Sequence, residues 1–123
     1  MQLKSLTPML RTWDLRASNA FYTEVLGFEC ESLSEEQGWA SLRRDGVAIM
    51  LAGPNPHEGD KAPAFTGSLY FHTDDMDGLW QRLKDKARIC YPIDNFEYGM
   101  REFAIYDNNG YLLQFGQPLP ATP

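Results

Sequence analysis

Apolar positions recur along the chain in short runs of period two and in two runs of period near 3.6. The order of these runs repeats. Residues 3–10 alternate as a strand would, and Pro8, which has no N–H to donate, marks an edge or an interrupted ladder. Asp14 is placed to cap a helix on which Leu15, Ala20, Phe21, Val25 and Leu26 fall largely on one face, and Gly27 supplies its stop. Three short strands are predicted next, Phe28–Leu33, Trp39–Arg44 and Val47–Ala52, with Asp45-Gly46 as a tight turn between the last two. Residues 53–66 are a loop, punctuated by Gly53, Pro54, Pro56, Gly59 and Pro63.

The pattern then starts again. Ser68–Thr73 is a predicted strand, and Asp75 a second cap before an apolar face of Met76, Leu79, Trp80 and Leu83. Ile89–Ile93, Glu102–Tyr106 and Tyr111–Phe115 are three further strands, with Asn108-Asn109-Gly110 as a hairpin turn. The chain is thus a β-α-β-β-β unit written twice. Residues 1–53 form the first module, 54–66 a linker, 67–117 the second module, and 118–123 a Pro-rich tail expected to be extended or frayed. The expected class is α+β. Neither half is long enough to bury a core alone, so each is expected to pack against another copy, within the chain or in a homodimer.

Composition narrows the function. The chain has 123 residues, 43% of them hydrophobic, 13% aromatic and 23% charged, the profile of a globular protein. Its 11 Lys and Arg stand against 17 Asp and Glu, a formal net charge of -6. That balance repels phosphate and argues against nucleic-acid and anionic-membrane partners, while suiting a cationic or neutral small molecule. No apolar run reaches the roughly 20 residues of a membrane-spanning helix, and the first residues do not resemble a signal peptide, so a cytoplasmic protein is expected. Cys30 and Cys90 show neither Cys-x-x-Cys spacing nor an adjacent His, and are read as reduced, buried small side chains.

Several segments carry a resemblance. They are Leu10-Arg11-Thr12-Trp13-Asp14-Leu15, Phe21-Tyr22-Thr23-Glu24-Val25-Leu26-Gly27-Phe28, Leu69-Tyr70-Phe71-His72-Thr73-Asp74-Asp75, and the run from Gly99 to Gly116. Across roughly residues 5–117 the chain resembles the vicinal oxygen chelate superfamily, which contains glyoxalase I, extradiol dioxygenases, and fosfomycin- and bleomycin-resistance proteins. The resemblance implies two β-α-β-β-β modules whose curled mixed sheets face one another around a cleft. It also implies four positions at which the metal enzymes of the superfamily hold a divalent ion. Here those positions carry Thr7, Met50, Ser68 and Gln114, where imidazole or carboxylate is needed, so neither metal nor other cofactor is expected. His57 sits in the linker beside Glu58 and near Asp60 and reads as a solvated loop residue. His72, with Asp74 two residues on, is a candidate base and orienter or a half-buried, locally satisfied histidine. No residue is assigned a catalytic role.

Without a metal set, the resemblance points to the bleomycin-resistance group, dimers that sequester a cationic, aromatic-tailed drug without chemistry. Tyr98-Gly99-Met100-Arg101-Glu102-Phe103-Ala104 is similar to a segment of that group, and Trp39, Tyr70 and His72 fall where it places aromatic rings. Independently of the resemblance, Ser68, Tyr70 and His72 alternate onto one face of a strand, and Trp39, Ser41 and Arg43 share a face of another. Such faces offer apolar area, orienting heteroatoms and ring surfaces that attract cations. The candidate ligand-binding residues are Trp39, Met50, Ser68, Tyr70, His72, Tyr98, Glu102 and Gln114. Core filling is the plain alternative for each aromatic, and Arg101 has a carboxylate partner as its alternative to a ligand. Phe21, Tyr22 and Trp80 are expected to pack on the backs of the sheets or at a dimer contact. The expected function is metal-free binding of a small molecule. Its alternatives are a lyase- or dioxygenase-like enzyme with an atypical site, using His72 or Glu102 as a proton-transfer base, and an interaction module with a filled cleft.

Overall fold

The computed structural model describes residues 1–57, 59 and 61–120. The chain divides into two compact units, Met1–Ala64 and Phe65–Pro123. Each is a β-α-β-β-β arrangement with one open four-stranded mixed sheet, the α+β architecture expected from the repeat.

In the first unit, strand β1 (Met9–Arg11) leads into helix α1 (Leu15–Ala20), which continues as a π-helical turn over Phe21–Val25. Asp14 caps α1, its carboxylate accepting from Ala17 N–H at 3.0 Å. Strands β2 (Glu29–Ser34), β3 (Trp39–Arg44) and β4 (Val47–Ala52) complete a sheet of order β1-β4-β3-β2. Asp45 takes the left-handed conformation in the turn between β3 and β4. Leu10, Ala40, Leu42, Ile49 and Leu51 bury one face of the sheet.

Two expectations for this unit need correction. The first strand is not 3–10 but three residues, starting at Met9. Pro8 gives its carbonyl to Met50 N–H at 2.9 Å but has no N–H of its own, so the ladder stops there. The buried stripe of the helix is Ser18, Tyr22 and Leu26, not Leu15, Ala20, Phe21 and Val25, which are only half-buried. Two causes combine. Ser18 buries its hydroxyl by donating to Thr12 Oγ1 at 2.7 Å. The wider π turn then carries Tyr22 inward, where its ring meets Phe21 and Phe28 edge-on.

The second unit runs β5 (Leu69–His72), α2 (Met76–Leu83), β6 (Arg88–Phe96), β7 (Met100–Tyr106) and β8 (Leu112–Pro118), in the sheet order β5-β8-β7-β6. Asp75 caps α2 through Gly78 N–H at 3.1 Å. The predicted face Met76, Leu79 and Leu83 is buried, and Trp80 packs on Phe103. Phe71, Phe103 and Phe115 stack in series on the helix side of the sheet. The last three strands are longer than predicted, because the β6-β7-β8 ladder runs on through the polar residues Asp94, Asn95, Arg101 and Gln117. Pro118 closes β8. Of the expected tail, residues 121–123 lie outside the described residues.

The cysteines also depart from expectation, since both are exposed. Cys30 lies on β2 and Cys90 on β6, each an edge strand of its sheet, where a strand has no neighbour on one side. Cys90 Sγ accepts from the Tyr106 hydroxyl at 3.2 Å. Among the described residues, no helix is long and apolar enough to cross a membrane.

Candidate functional site

The open face of the second sheet is built by pairing register. Tyr70 on β5 pairs with Gln114 on β8, which pairs with Ala104 on β7. One step along, His72 pairs with Gly116, which pairs with Glu102. Side chains two residues apart on a strand share a face, so Tyr70, His72, Gln114 and Glu102 emerge together. Ser68 joins them just before β5, its hydroxyl donating to Gln114 Oε1 at 2.5 Å.

At the centre is the Glu102 carboxylate, 1% exposed. It accepts from three phenols. Tyr70 donates to Oε2, Tyr91 to Oε1 at 3.1 Å, and Tyr98 also to Oε1. Gln114 Nε2 donates to the Tyr91 oxygen at 2.9 Å, so a continuous chain of hydrogen bonds runs Ser68–Gln114–Tyr91–Glu102 and branches to Tyr70 and Tyr98. Among the described residues no Lys, Arg or His forms an ion pair with Glu102. Arg101, next in sequence, points elsewhere and has a carboxylate partner, Asp77, at 2.8 Å.

These contacts shift the phenols. Burial, then the Glu102 bond and charge, push Tyr70 far above an ordinary tyrosine. The bond to Glu102 comes first for Tyr98, which is pushed up to about 12. Burial raises Tyr91, against the donated Gln114 N–H, which lowers it. All three therefore stay protonated at neutral pH and remain donors to the carboxylate.

Aromatic surface surrounds this polar centre. Tyr70 and His72 rings lie 5.2 Å apart, Phe96 stacks on Tyr98 at 5.5 Å, and Tyr91 meets Phe96 edge-on at 5.5 Å. Tyr98 stands on the turn between β6 and β7 and is 62% exposed. Tyr70 reaches Glu102 by crossing Gly116. A Cβ at that position would sit 2.0 Å from the Tyr70 hydroxyl oxygen.

Six of the eight expected ligand residues thus meet on this one face: Ser68, Tyr70, His72, Tyr98, Glu102 and Gln114. The other two, Trp39 and Met50, meet on the first unit's sheet, where the indole N–H donates to Met50 Sδ at 3.4 Å. His72 lies against Tyr70, whereas Asp74 is past the end of β5 in the bend before α2. His57 is exposed, its backbone N–H bonded to Asn55 Oδ1 at 3.0 Å, and the neighbouring Glu58 and Asp60 lie outside the described residues. Tyr91 and Phe96 were missed from sequence. Register shifts between Ile89 and Tyr91 and between Tyr91 and Asp94 break the alternation that would have placed them.

The parallel pairings also test the metal positions. Met9 pairs with Met50 in the first sheet as Tyr70 pairs with Gln114 in the second. Two residues upstream of Met9 and Tyr70 stand Thr7 and Ser68, so the four positions correspond across the repeat. The residues present do not fit a divalent ion. They are two hydroxyls, a thioether and a neutral amide, and Ser68 and Gln114 bond to each other. Among the described residues, no cluster of three or more His, Cys, Asp or Glu could hold one either.

Known proteins agree with the architecture. The chain is similar to a glyoxalase/bleomycin resistance protein/dioxygenase from Nocardioides, at 19% identity and a TM-score of 0.80, over 99% of this chain and 87% of that one. It is similar to TnmS3, an antibiotic binding protein from Streptomyces sp. CB03234, at 21% identity and a TM-score of 0.77, over 96% and 98%. It is also similar to a lactoylglutathione lyase from Agrobacterium tumefaciens, at 21% identity and a TM-score of 0.73, over 93% and 92%. No curated protein matches the sequence. The family model of the Glyoxalase/Bleomycin resistance protein/Dioxygenase superfamily matches residues 4–115, nearly the whole chain, and the protein belongs to that superfamily.

Proposed function

We propose that this protein binds a small cationic aromatic molecule without a metal and without chemistry, on the open face of its second sheet. One observation carries the reading. Glu102 is a buried carboxylate with no cationic partner among the described residues, set in a floor of aromatic rings. A buried charge is costly unless it is paired, and phenol donors solvate the carboxylate without neutralising it. A ligand cation supplies the missing charge, and the rings of Tyr70, His72 and Phe96 supply apolar and cation–π contact. The net charge of -6 adds long-range attraction for the same guest. The antibiotic binding protein of the same fold is a precedent for binding as an end in itself. We further propose that the protein works as a homodimer, a state that would cover exposed apolar side chains such as Met9, Trp13, Leu33 and Val47.

Isothermal titration with benzamidine against neutral benzamide tests the reading. Benzamidine is expected to bind and benzamide to bind at least about tenfold more weakly, the worth of one charge-assisted hydrogen bond. Equal affinities, or tight stoichiometric binding of a divalent metal, would overturn the proposal. Sedimentation equilibrium tests the dimer, and a monomer at micromolar concentration would remove that part.

A further inference from the structure

The three phenols on Glu102 are held in different ways. Tyr70 lies on β5 and is wedged over Gly116, where an added methyl group would overlap its ring and hydroxyl. Tyr91 lies on β6, and its oxygen is fixed by Gln114 Nε2. Tyr98 stands on the turn of Glu97, Tyr98 and Gly99, closed by the Gly99 N–H to Phe96 carbonyl bond at 3.0 Å. It is 62% exposed, and its ring rests on Phe96. Two donors are therefore built into the sheet, and the third is on the surface. Tyr98 can leave by a side-chain rotation, without breaking a strand pairing.

Among the described residues, the carboxylate beneath it has no cationic partner. Exchanging a neutral O–H donor for a cationic N–H donor keeps the acceptor satisfied and adds charge compensation. We propose that Tyr98 is a placeholder on Glu102. A planar cation that carries N–H donors, an aryl amidinium or guanidinium, displaces the Tyr98 hydroxyl from Oε1 and lies against Phe96 in the space its ring vacates. The inference rests on the reading that this face binds cationic aromatics, and it adds a specificity rule to that reading. A quaternary ammonium of the same charge has no N–H to offer and cannot take the place of the phenol.

The test is calorimetric titration of the full chain, as wild type, Tyr98→Phe and Glu102→Gln, with benzamidine and with phenyltrimethylammonium. Wild type is expected to prefer benzamidine. Tyr98→Phe keeps the ring on Phe96 but removes the competing hydroxyl, so benzamidine should bind about three- to tenfold more tightly, the worth of one hydrogen bond no longer lost. Glu102→Gln should erase the preference between the two cations. Should that variant fail to fold by circular dichroism, the exposed Tyr98→Phe carries the test alone. Benzamidine binding that is unchanged or weaker in Tyr98→Phe overturns the placeholder and leaves the proposed function standing. Failure of wild type to bind either compound overturns both.

Discussion

Replacing Gly116 with Ala tests the geometry of the site by a single methyl group. The new Cβ would sit 2.0 Å from the Tyr70 hydroxyl oxygen, 2.6 Å from Cζ and 2.9 Å from Cε1. All three contacts are closer than real Cβ atoms come, so the Tyr70 ring must swing away and its hydroxyl must leave Glu102. Gly116 itself has no positive φ, so alanine is not strained there. Tyr70 is 37% exposed, so the ring has open solvent to swing into, and the cost is the hydrogen bond rather than a core cavity. A hydrogen bond to a charged group contributes about 1.5–3 kcal/mol, and partial access of water cuts that. Alanine for glycine in a strand returns about 0.5–1 kcal/mol through the unfolded chain. The net expectation is a loss of about 0.5–2 kcal/mol. The bond is already absent in Tyr70→Phe, so Gly116→Ala should cost far less in that background. The gain through the unfolded chain cancels in a double-mutant cycle, so the two changes are coupled by the bond itself, about 1–3 kcal/mol. Urea unfolding of the four proteins measures this directly. Gly116→Ala as stable as wild type, or strictly additive changes, would refute the claim that the glycine exists to let Tyr70 cross.

Three further outcomes follow from the same structure. Phenolate absorbance, compared between wild type and Tyr98→Phe, should show the Tyr98 proton leaving near pH 12 rather than the usual 10. Since the folded value is the higher one, its contribution to stability is complete below about pH 10, falls as pH rises and is gone above about pH 12, which alkaline denaturation of the same pair checks. Asp107→Ala should destabilise by about 1–3 kcal/mol in thermal unfolding and leave benzamidine affinity unchanged. The buried carboxylate accepts from Asn109 and Tyr111 N–H at 2.8 and 2.9 Å in the loop between β7 and β8, and that loop contains no proposed ligand residue. Cys30 and Cys90 should both react with a thiol reagent in the native state at the rate of an unfolded control; a protected thiol at either position would contradict the exposed edge strands.

Most of the fold was legible because each signal was local. Asp14 and Asp75 announced helix starts by their own side chains, and Asp45-Gly46 announced a turn by its backbone preference. The errors came where the outcome depends on a neighbour. The strand at 3–10 has the right alternation, but Pro8 ends its ladder. The apolar stripe of the first helix was drawn at 3.6 residues per turn, and the π turn at Phe21–Val25 shifts it to Ser18, Tyr22 and Leu26. Cys30 and Cys90 have apolar neighbours in sequence, but their exposure is set by lying on edge strands, a fact of sheet order. The site divides the same way. Period-two alternation gathered Ser68, Tyr70 and His72, while Tyr91 was hidden by two register shifts in β6.

The repeat carries one step further, because both sheets share a register. Trp39 pairs with Ala52 and Ser41 with Met50 in the first sheet, as Glu102 pairs with Gly116 and Ala104 with Gln114 in the second. Adding the parallel pairs makes Met9 the counterpart of Tyr70 and Trp39 the counterpart of Glu102. The backbone frame is the same, but the chemistry placed on it is opposite. One face carries an indole and two thioethers, and the other a carboxylate with its phenols. The glycine follows the same logic. Ala52 keeps its Cβ because Met9, two residues back on the neighbouring strand, does not have to reach across it for a carboxylate. Gly116 has none because Tyr70 does. A glycine in the strand interior is therefore a sequence-readable companion of the buried carboxylate. The Gly116-with-Glu102 pair, rather than the aromatic residues shared by so many cores, is the feature that sets the second sheet's face apart from the first's.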